Sequence, residues 1–198
     1  QFNQIVDPNN PDLTTSLFSI PHRILANLSY MFEASNGFNT TIGVFYEGRS
    51  GAPFSMVYFS QGSVYSGDAN NDDHWSNDLV YIPTGENDAK MVLTTNNWDE
   101  LNSFINQFDE LKSQRGKISE RYSLSQPWRN NLDLRITQDI PTSNKQKLQI
   151  SIDILNVMNL LNHEWGYQYY ISNSSYSMMR YEGFVSQAEV NAGIYKQE

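Results

Sequence analysis

The sequence predicts an all-β fold of antiparallel, up-and-down strands. Two observations predict it: apolar and polar side chains alternate in four separate segments, and short connections alternate with one very long one. We expect strands at about residues 22–33, 39–60, 127–140 and 146–158, with a long loop at 61–126. Each strand then has one apolar and one polar face, because successive side chains point to opposite sides.

The apolar faces are found by taking every second residue of each segment. The opposite face of the first segment carries Arg23, Leu25, Asn27, Ser29 and Met31, and later segments place Asp133 and Arg135 on theirs. The apolar positions are Ile24, Ala26, Leu28, Tyr30, Phe32, Ile42, Val44, Tyr46, Leu132, Leu134, Ile136, Leu148, Ile150, Ile152 and Ile154. In a soluble sandwich such a face packs into the core, whereas in an outer-membrane barrel it faces lipid. Periodicity alone is compatible with both.

The lengths of the connections favour the barrel. Short turns lie at residues 34–37 and 141–145, while residues 61–126 separate the two hairpins. Outer-membrane barrels have short turns on one side and long extracellular loops on the other. Structureless loops of this length are uncommon in compact soluble domains. We therefore expect part of a transmembrane β-barrel whose long loop is extracellular.

The long loop contains one predicted helix, at residues 98–115. Leu101, Phe104, Ile105 and Phe108 recur at helical spacings of three and four. The polar side of this helix is acidic, which does not favour binding to a membrane surface. We expect a loop helix that packs on its own domain.

Composition excludes several classes of protein. The chain has 198 residues, with 22 acidic and 13 basic side chains and a net charge of −9, so nucleic acid is not an expected partner. It has no cysteine, which excludes disulfides and thiolate metal sites. Its apolar runs are also far shorter than the roughly 18 residues of a membrane-spanning helix.

An acidic segment is the candidate metal site, and the expected ion is calcium. Oxygen-bearing side chains at alternate positions can converge on Ca²⁺ when a loop wraps around the ion. The candidate ligands are Asp68, Asn70, Asp72 and Asp78, with Asn77 near enough to contribute. The match to an EF-hand is partial, because Asp73 replaces the glycine of the sharp turn and Leu79 replaces the bidentate glutamate. A solvated Asx-rich turn is the alternative.

No catalytic constellation is recognisable, so we do not expect an enzyme. The three histidines, His22, His74 and His163, have no metal-pair or triad spacing. Carboxylates at Asp133, Asp139 and Asp153 offer a weaker alternative, a glycosidase pair across a sheet.

Aromatic side chains cluster at or beyond the ends of the predicted strands. If the strands span a membrane, these rings form an interfacial girdle. Otherwise they stack on sugars or fill a protein interface. They are Tyr46, Tyr58, Trp128, Trp165, Tyr167, Tyr169 and Tyr170.

Several motifs, in order, resemble the last strands of TonB-dependent outer-membrane receptors. They are Pro21-His22-Arg23-Ile24, residues 41–47 with 51–55, residues 65–72, residues 77–83, Pro127-Trp128, Asp133-Leu134-Arg135, and residues 153–162 with Trp165-Gly166. The set is similar to the Oar-like receptors of Bacteroidetes, which carry a carboxypeptidase-regulatory-like domain ahead of plug and barrel. The resemblance covers nearly the whole chain.

The resemblance implies a Gram-negative outer-membrane receptor that binds or imports a large nutrient with energy delivered through TonB. Such barrels have about 22 strands around a plug. The sequence lacks a plug, a TonB-contacting segment and a final strand that ends in an aromatic residue, so we expect residues 1–198 to be a C-terminal barrel fragment. The implied partners are the rest of the barrel and plug, TonB, outer-membrane lipid and a surface lipoprotein. The alternative is a soluble or surface-exposed β-rich binding module, for example for carbohydrate.

Overall fold

The computed structural model describes residues 4, 6–7, 9–59, 67–74, 77–95, 97–143, 146–167, 169–183 and 195–197. These residues form mainly β-strands with a few short helices, and most strand pairs are antiparallel, which confirms the all-β prediction. The chain divides into two compact units. We call residues 20–51 with 127–170 the sheet unit, and residues 1–19, 52–126 and 171–198 the core unit.

The secondary-structure elements follow in chain order. They are β1 (Arg23–Phe32), β2 (Thr40–Arg49), β3 (Pro53–Phe59), β4 (Tyr81–Ile82), β5 (Met91–Leu93), α1 (Trp98–Ile105), α2 (Asp109–Ser113), β6 (Lys117–Ile118), β7 (Leu124–Ser125), β8 (Arg129–Pro141), β9 (Lys147–Ile154), α3 (Met158–Leu161), β10 (Ser175–Gly183) and β11 (Tyr195–Gln197). Two 3₁₀ turns, His163–Gly166 and Ser172–Ser174, lie between α3 and β10.

The sheet unit is a single antiparallel sheet of four strands in the order β1-β2-β8-β9. Strands β1 and β2 form one hairpin, β8 and β9 form another, and β2 pairs with β8 across the long connection. The register aligns Leu28 with Val44, Val44 with Leu134, and Leu134 with Ile154. Because residues directly opposite each other lie on the same face, this register joins the apolar rows of all four strands into one surface.

Strand β9 is shorter than the predicted strand at 146–158. It ends at Ile154, and Asn156 takes a left-handed conformation with φ of 52°. The N–H of Asn156 donates to Oδ1 of Asp133 at 2.8 Å, and the N–H of Val157 donates to the carbonyl of Leu132 at 2.7 Å. These bonds turn the chain away from the sheet and into α3.

The predicted strand at 39–60 is two strands in different units, which corrects the expectation. Strand β2 belongs to the sheet unit, whereas β3 pairs with β10 and β7 in the core unit. The break falls just before Pro53, whose backbone has no N–H to donate to a ladder. Strand β3 is buried on both faces except at Phe59, so it does not alternate as β2 does. Residues 60–66, at the end of this prediction and the start of the long loop, lie outside the described residues.

The predicted helix at 98–115 is two helices, α1 and α2, with a break at residues 106–108. Phe108 is extended, with φ of −120° and ψ of 119°, so the helical hydrogen-bond pattern cannot continue through it. Its ring packs against that of Phe104 at a centroid distance of 5.4 Å. Ile105 and Leu111 are fully buried, so the helices pack on the core of their own unit.

Residues 61–126 therefore do more than form a loop with one helix. They supply strands β4 to β7, both helices and much of the hydrophobic core. The larger sheet has the order β5-β11-β10-β3-β7, with parallel pairing of β3 to β10 and of β5 to β11. The core residues are Phe54, Met56, Tyr58, Val80, Tyr81, Ile82, Met91, Ile105, Leu111, Leu124, Met179 and Tyr181.

In the part of the chain that the structure describes, no helix combines the length and apolar character needed to cross a membrane.

Candidate functional site

The acidic segment lies in the core unit between β3 and β4. Its described residues are 67–74 and 77–78. Two backbone bonds fix its end to the buried β3: the N–H of Tyr58 donates to the carbonyl of Asp78 at 3.0 Å, and the N–H of Val80 donates to the carbonyl of Met56 at 3.3 Å. We call these residues, 67–74 with 77–78, the acidic loop.

Asp68 closes the first turn of the acidic loop. Its Oδ1 accepts the N–H of Asp72 at 3.0 Å, and its Oδ2 accepts the N–H of Asp73 at 3.1 Å. Asp73 has φ of 64°, the left-handed conformation that the glycine of an EF-hand supplies at this point of its loop. The local turn is therefore made without the glycine, which the sequence lacks.

Asp72 is the residue on which the loop side chains converge. Its Oδ2 accepts from Nδ2 of Asn70 at 3.4 Å and from Nδ2 of Asn77 at 3.2 Å. The N–H of Asp72 donates to Oδ1 of Asn70 at 3.0 Å, and Oδ1 of Asp72 accepts the N–H of His74 at 2.9 Å. One carboxylate and two carboxamides therefore meet at a single point.

Asp78 anchors the loop from inside the protein. Its Oδ2 accepts the N–H of Ala69 at 2.5 Å and that of Asn70 at 3.2 Å. Burial raises the pKa of the Asp78 carboxyl to about 7, and the charges of Asp72 and Asp68 act in the same direction, while the two N–H donors oppose the shift. Of the four predicted ligands, Asp78 is thus the one that is buried, at 3% exposed.

Two buried oxygens of the acidic loop have no hydrogen-bond partner. Oδ1 of Asn77 and Oδ1 of Asp78 are both inaccessible, on residues that are each only 3% exposed. Most buried polar atoms in folded proteins are paired, so each such atom needs an explanation. The sequence predicts an oxygen-rich loop here, but it contains no signal that singles out these two atoms.

Carboxylates alone do not form a metal site in the described residues, where no group of three or more His, Asp or Glu side chains is close enough to hold an ion. The carboxamides of Asn70 and Asn77 face Asp72 with their N–H groups, so the contacts within the loop are hydrogen bonds to its carboxylate.

The anchor role predicts a pH dependence of stability. The folded pKa of Asp78, about 7, lies above its ordinary value of 3.8, so folding takes up a proton between these values. The contribution of Asp78 to stability should therefore be largest below about pH 4 and fall by up to about 4 kcal/mol as the pH rises to 7. In Asp78→Asn, which keeps an acceptor oxygen without the charge, this part of the decline should disappear.

Urea unfolding with EDTA at several pH values between 4 and 7 measures the effect. The matched control is Asp73→Asn, which removes a carboxylate from an exposed residue of the same loop. Equal pH dependence in Asp78→Asn and in the unmodified chain would contradict the assignment.

The second candidate site is one side of the four-stranded sheet. We call it the apolar face. Its side chains project out of the sheet. Those on the edge strands β1 and β9 are mostly exposed, with Leu28 at 74% and Ile152 at 58%, whereas those on β2 and β8 are half-buried. The face consists of Ile24, Ala26, Leu28, Tyr30 and Phe32 of β1, Ile42, Val44 and Tyr46 of β2, Leu132, Leu134, Ile136 and Ile140 of β8, and Leu148, Ile150, Ile152 and Ile154 of β9.

The few polar side chains among these rows are paired with each other at the two ends. Towards the short turns, the hydroxyl of Thr40 donates to Oε1 of Gln138 at 2.6 Å. At the opposite end, the hydroxyl of Tyr46 and Nε1 of Trp128 both donate to Oδ1 of Asn130, at 2.7 and 3.0 Å. The apolar face is therefore a band with a hydrogen-bonded polar group at each end.

The other side of the sheet, which we call the polar side, carries charged side chains that pair across strands, together with the apolar side chains of Leu25, Met31 and Phe45. Arg23 pairs with Glu47 at 2.9 Å, and the guanidinium of Arg135 makes two bonds to Asp153 at 2.5 and 2.9 Å. The hairpin register brings Arg135 and Asp153 opposite each other, which strand alternation alone does not predict.

The three carboxylates of the glycosidase alternative lie on this polar side and bind structural partners. Asp153 binds Arg135, Asp133 accepts the side-chain N–H of Asn131 and the backbone N–H of Asn156, and Asp139 accepts from Gln149.

Five of the seven aromatic side chains proposed for a girdle are exposed, Tyr46 is half-buried, and Tyr58 is buried. Trp128, Trp165, Tyr167, Tyr169 and Tyr170 lie at the surface. Tyr58 is buried in the core unit, where its hydroxyl accepts the N–H of Tyr81 at 3.1 Å. Tyr58 is therefore a core residue, because β3 is buried on both faces.

Comparison with known proteins leaves these two sites to be interpreted from their geometry: no family model, curated protein or solved structure matches the chain.

Proposed function

We propose that the sheet unit is part of the wall of an outer-membrane β-barrel, in a TonB-dependent receptor that binds or imports a large nutrient. The observation that carries the proposal is the apolar face, a surface that extends over all four strands of a sheet and whose side chains are exposed on the edge strands and half-buried on the central ones. Soluble monomers rarely expose a continuous apolar patch of more than a few hundred Å². Contact with lipid removes the cost of exposing these side chains to water.

The dimensions of the strands support a position in the bilayer. Strands β1 and β2 have 10 residues each, and a tilted transmembrane β-strand needs about 9–11. Tyr46 and Trp128 lie at one end of the band, where amphipathic rings can place their polar groups at the interface with water. Apolar rows bounded in this way are typical of lipid-facing strands.

The polar side of the sheet supports the same proposal, since it would face the wet interior of the barrel. Its Arg135–Asp153 and Arg23–Glu47 pairs join adjacent strands. A barrel interior has polar side chains on the residues that alternate with the lipid-facing ones.

Strands β1 and β9 are the edges of the sheet, and each pairs on one side only among the described strands. An edge strand presents unpaired N–H and C=O groups, which lipid cannot satisfy. We infer that neighbouring strands of a larger barrel cover both edges, and that the plug, TonB and a surface lipoprotein are further partners. Uptake, without catalysis, is the proposed activity.

The purified full chain tests this proposal when it is diluted from urea into phospholipid vesicles and floated on a density gradient. We expect it to float with the vesicles and to need detergent to stay monodisperse without them. A chain that is monodisperse and folded in plain buffer, and that stays at the bottom of the gradient, would overturn the proposal. That result would favour the soluble β-rich binding module.

A further inference from the structure

We propose that three arginines at one end of the polar side bind a phosphate group of a soluble ligand. They are Arg23 of β1, Arg49 of β2 and Arg129 of β8, and we call them the arginine row. All three belong to the sheet unit, so the site does not depend on what covers the apolar face.

The strand register aligns the three arginines across neighbouring strands. Arg23 lies directly opposite Arg49, and Arg49 lies directly opposite Arg129. Residues directly opposite each other share a face of the sheet, with Cβ atoms about 4.5–5.5 Å apart. Beyond the row, the N–H of Ser50 donates to the carbonyl of His22 at 2.9 Å, and the N–H of His22 donates to Oγ of Ser50 at 3.2 Å. The row is therefore held on hydrogen-bonded backbone.

The positive charge of the arginine row is only partly balanced. Nε of Arg23 bonds to Oε1 of Glu47 at 2.9 Å. In the part of the chain that the structure describes, neither Arg49 nor Arg129 belongs to an ion pair. Three guanidinium groups and one carboxylate leave a charge of about +2 on adjacent strands, and like charges directly opposite each other destabilise strand pairing. An anion at the row would relieve this repulsion.

Arg129 gives a second indication of a ligand. Its side chain is half-buried, and its Nε is inaccessible to water and has no hydrogen-bond partner among the described residues. Its Nη2 donates to the carbonyl of Tyr169 at 3.5 Å, which is long for a hydrogen bond. Removing a charge from water is costly unless the charge is paired, so this guanidinium favours an anion beside it.

The chemistry of the arginine row favours a phosphate group over a carboxylate. A guanidinium presents a planar fork of N–H donors that matches two oxygens of a phosphate. A phosphate monoester has a charge of roughly −1.5 to −2 at pH 7, which is close to the unbalanced charge of the row. Its oxygens can also accept from more than one arginine. A carboxylate has a single charge and two oxygens in one plane.

The position of the arginine row favours a soluble ligand over a lipid. The row lies on the polar side, whereas lipid is proposed to contact the apolar face on the opposite side of the sheet. The phosphate group is therefore expected to reach the row from water.

Calorimetric titration of the purified full chain with sodium phosphate tests the site. The protein is kept in Hepes buffer of low ionic strength with a non-ionic detergent, so that no other phosphate is present. We expect saturable binding that sodium acetate does not reproduce, and a rise in Tm at about 10 mM phosphate. The absence of both binding heat and a Tm shift with phosphate, or equal binding of acetate, would overturn the proposal.

Two matched variants separate binding at the row from general attraction to a positive surface. Arg49→Gln and Arg135→Gln each remove one positive charge from the polar side. Arg135 is bonded to Asp153 and lies about 20 Å along β8 from Arg129. Loss of charge-assisted hydrogen bonds should raise Kd for phosphate about tenfold or more in Arg49→Gln, whereas Arg135→Gln should raise it less than about threefold because salt screens distant charges. An equal rise in both variants would overturn the proposal.

The melting temperature of Arg49→Gln tests the repulsion within the row. Without phosphate, the variant should have a higher Tm than the unmodified chain, because Arg23 and Arg129 no longer face a like charge. With phosphate, the unmodified chain should gain more in Tm than the variant. A lower Tm without phosphate, together with an equal gain when phosphate is added, would show that Arg49 only supports the sheet and would overturn the proposal.

Glycerol phosphate and a short-chain phosphatidic acid distinguish the two sources of a phosphate group. Glycerol phosphate should bind at least as well as inorganic phosphate, since its group is also presented from water. Binding of phosphatidic acid without binding of either soluble phosphate would assign the arginine row to lipid headgroups and overturn the proposal.

Discussion

Replacing Leu28 by arginine is expected to cost about 2–4 kcal/mol of membrane insertion, the cost of a cationic side chain on the lipid face of a barrel near the bilayer midplane. Leu28 lies in the middle rung of the apolar face, opposite Val44, and is 74% exposed. In vesicle flotation at equilibrium, this cost corresponds to a loss of about 30-fold or more in the ratio of bound to free chain.

Ser29→Arg is the matched control, because Ser29 is the next residue of β1, at nearly the same depth, on the polar side of the sheet. It lies opposite Gly43, whose lack of a side chain leaves room for the arginine. We expect this variant to float like the unmodified chain.

The water-exposed alternative predicts a different result. If the apolar face is in contact with water, Leu28→Arg is a surface substitution and should change stability by no more than about 0.5 kcal/mol. Equal flotation of Leu28→Arg and Ser29→Arg would therefore contradict the barrel wall.

Replacing Leu111 by alanine is expected to destabilise the core unit by about 2–5 kcal/mol, the range for deleting a buried leucine side chain. Leu111 is 0% exposed and packs in the core cluster that contains Ile105 and Met91. The loss combines the transfer free energy of the removed methyl groups with the cost of the cavity that remains.

Leu13→Ala provides the matched control, because Leu13 belongs to the same unit and is fully exposed. Its urea unfolding should differ from that of the unmodified chain by no more than about 0.5 kcal/mol. The measurement is the unfolding free energy of both variants in urea. Similar values for the two would show that residues 98–113 do not share the core that the structure assigns to them.

The two predictions concern leucines in different environments: Leu28 is exposed in the sheet unit, and Leu111 is buried in the core unit. In the core unit, burial removes apolar side chains from water and stabilises the fold. In the sheet unit, similar side chains are exposed, and our proposal assigns lipid as their surroundings. Substitution of a leucine is therefore expected to change membrane insertion in the sheet unit and the free energy of unfolding in the core unit.

Strand periodicity predicts much of the sheet unit, because each of its strands keeps one face apolar. Strand β10 has no such signal in the sequence SYSMMRYEG, and its partner β3 is more than a hundred residues away. Parallel pairing at this separation depends on tertiary packing that no local pattern records. The break at Phe108 is similar, since the spacing of apolar residues continues through a residue whose backbone is extended.

In the acidic loop, too, some features follow from the local sequence and others depend on tertiary packing. The alternating positions of Asp68, Asn70 and Asp72 are visible in the sequence and predict an oxygen-rich turn. The anchor made by Asp78 and the unpaired oxygen of Asn77 depend on burial against β3 and on contacts across the loop. Desolvation is a property of the packed environment, so the raised pKa of Asp78 has no counterpart in the sequence.

The sequence by itself determined which residues could share a face, because the backbone of a strand sends successive side chains to opposite sides. It also determined which short segment is rich in oxygen ligands. Only the tertiary structure decided that residues 39–59 divide between two units, that the apolar rows join into one exposed surface, and which loop oxygens are left unpaired. Strand register and burial arise from contacts between residues that are distant in the chain, and a local pattern does not encode them.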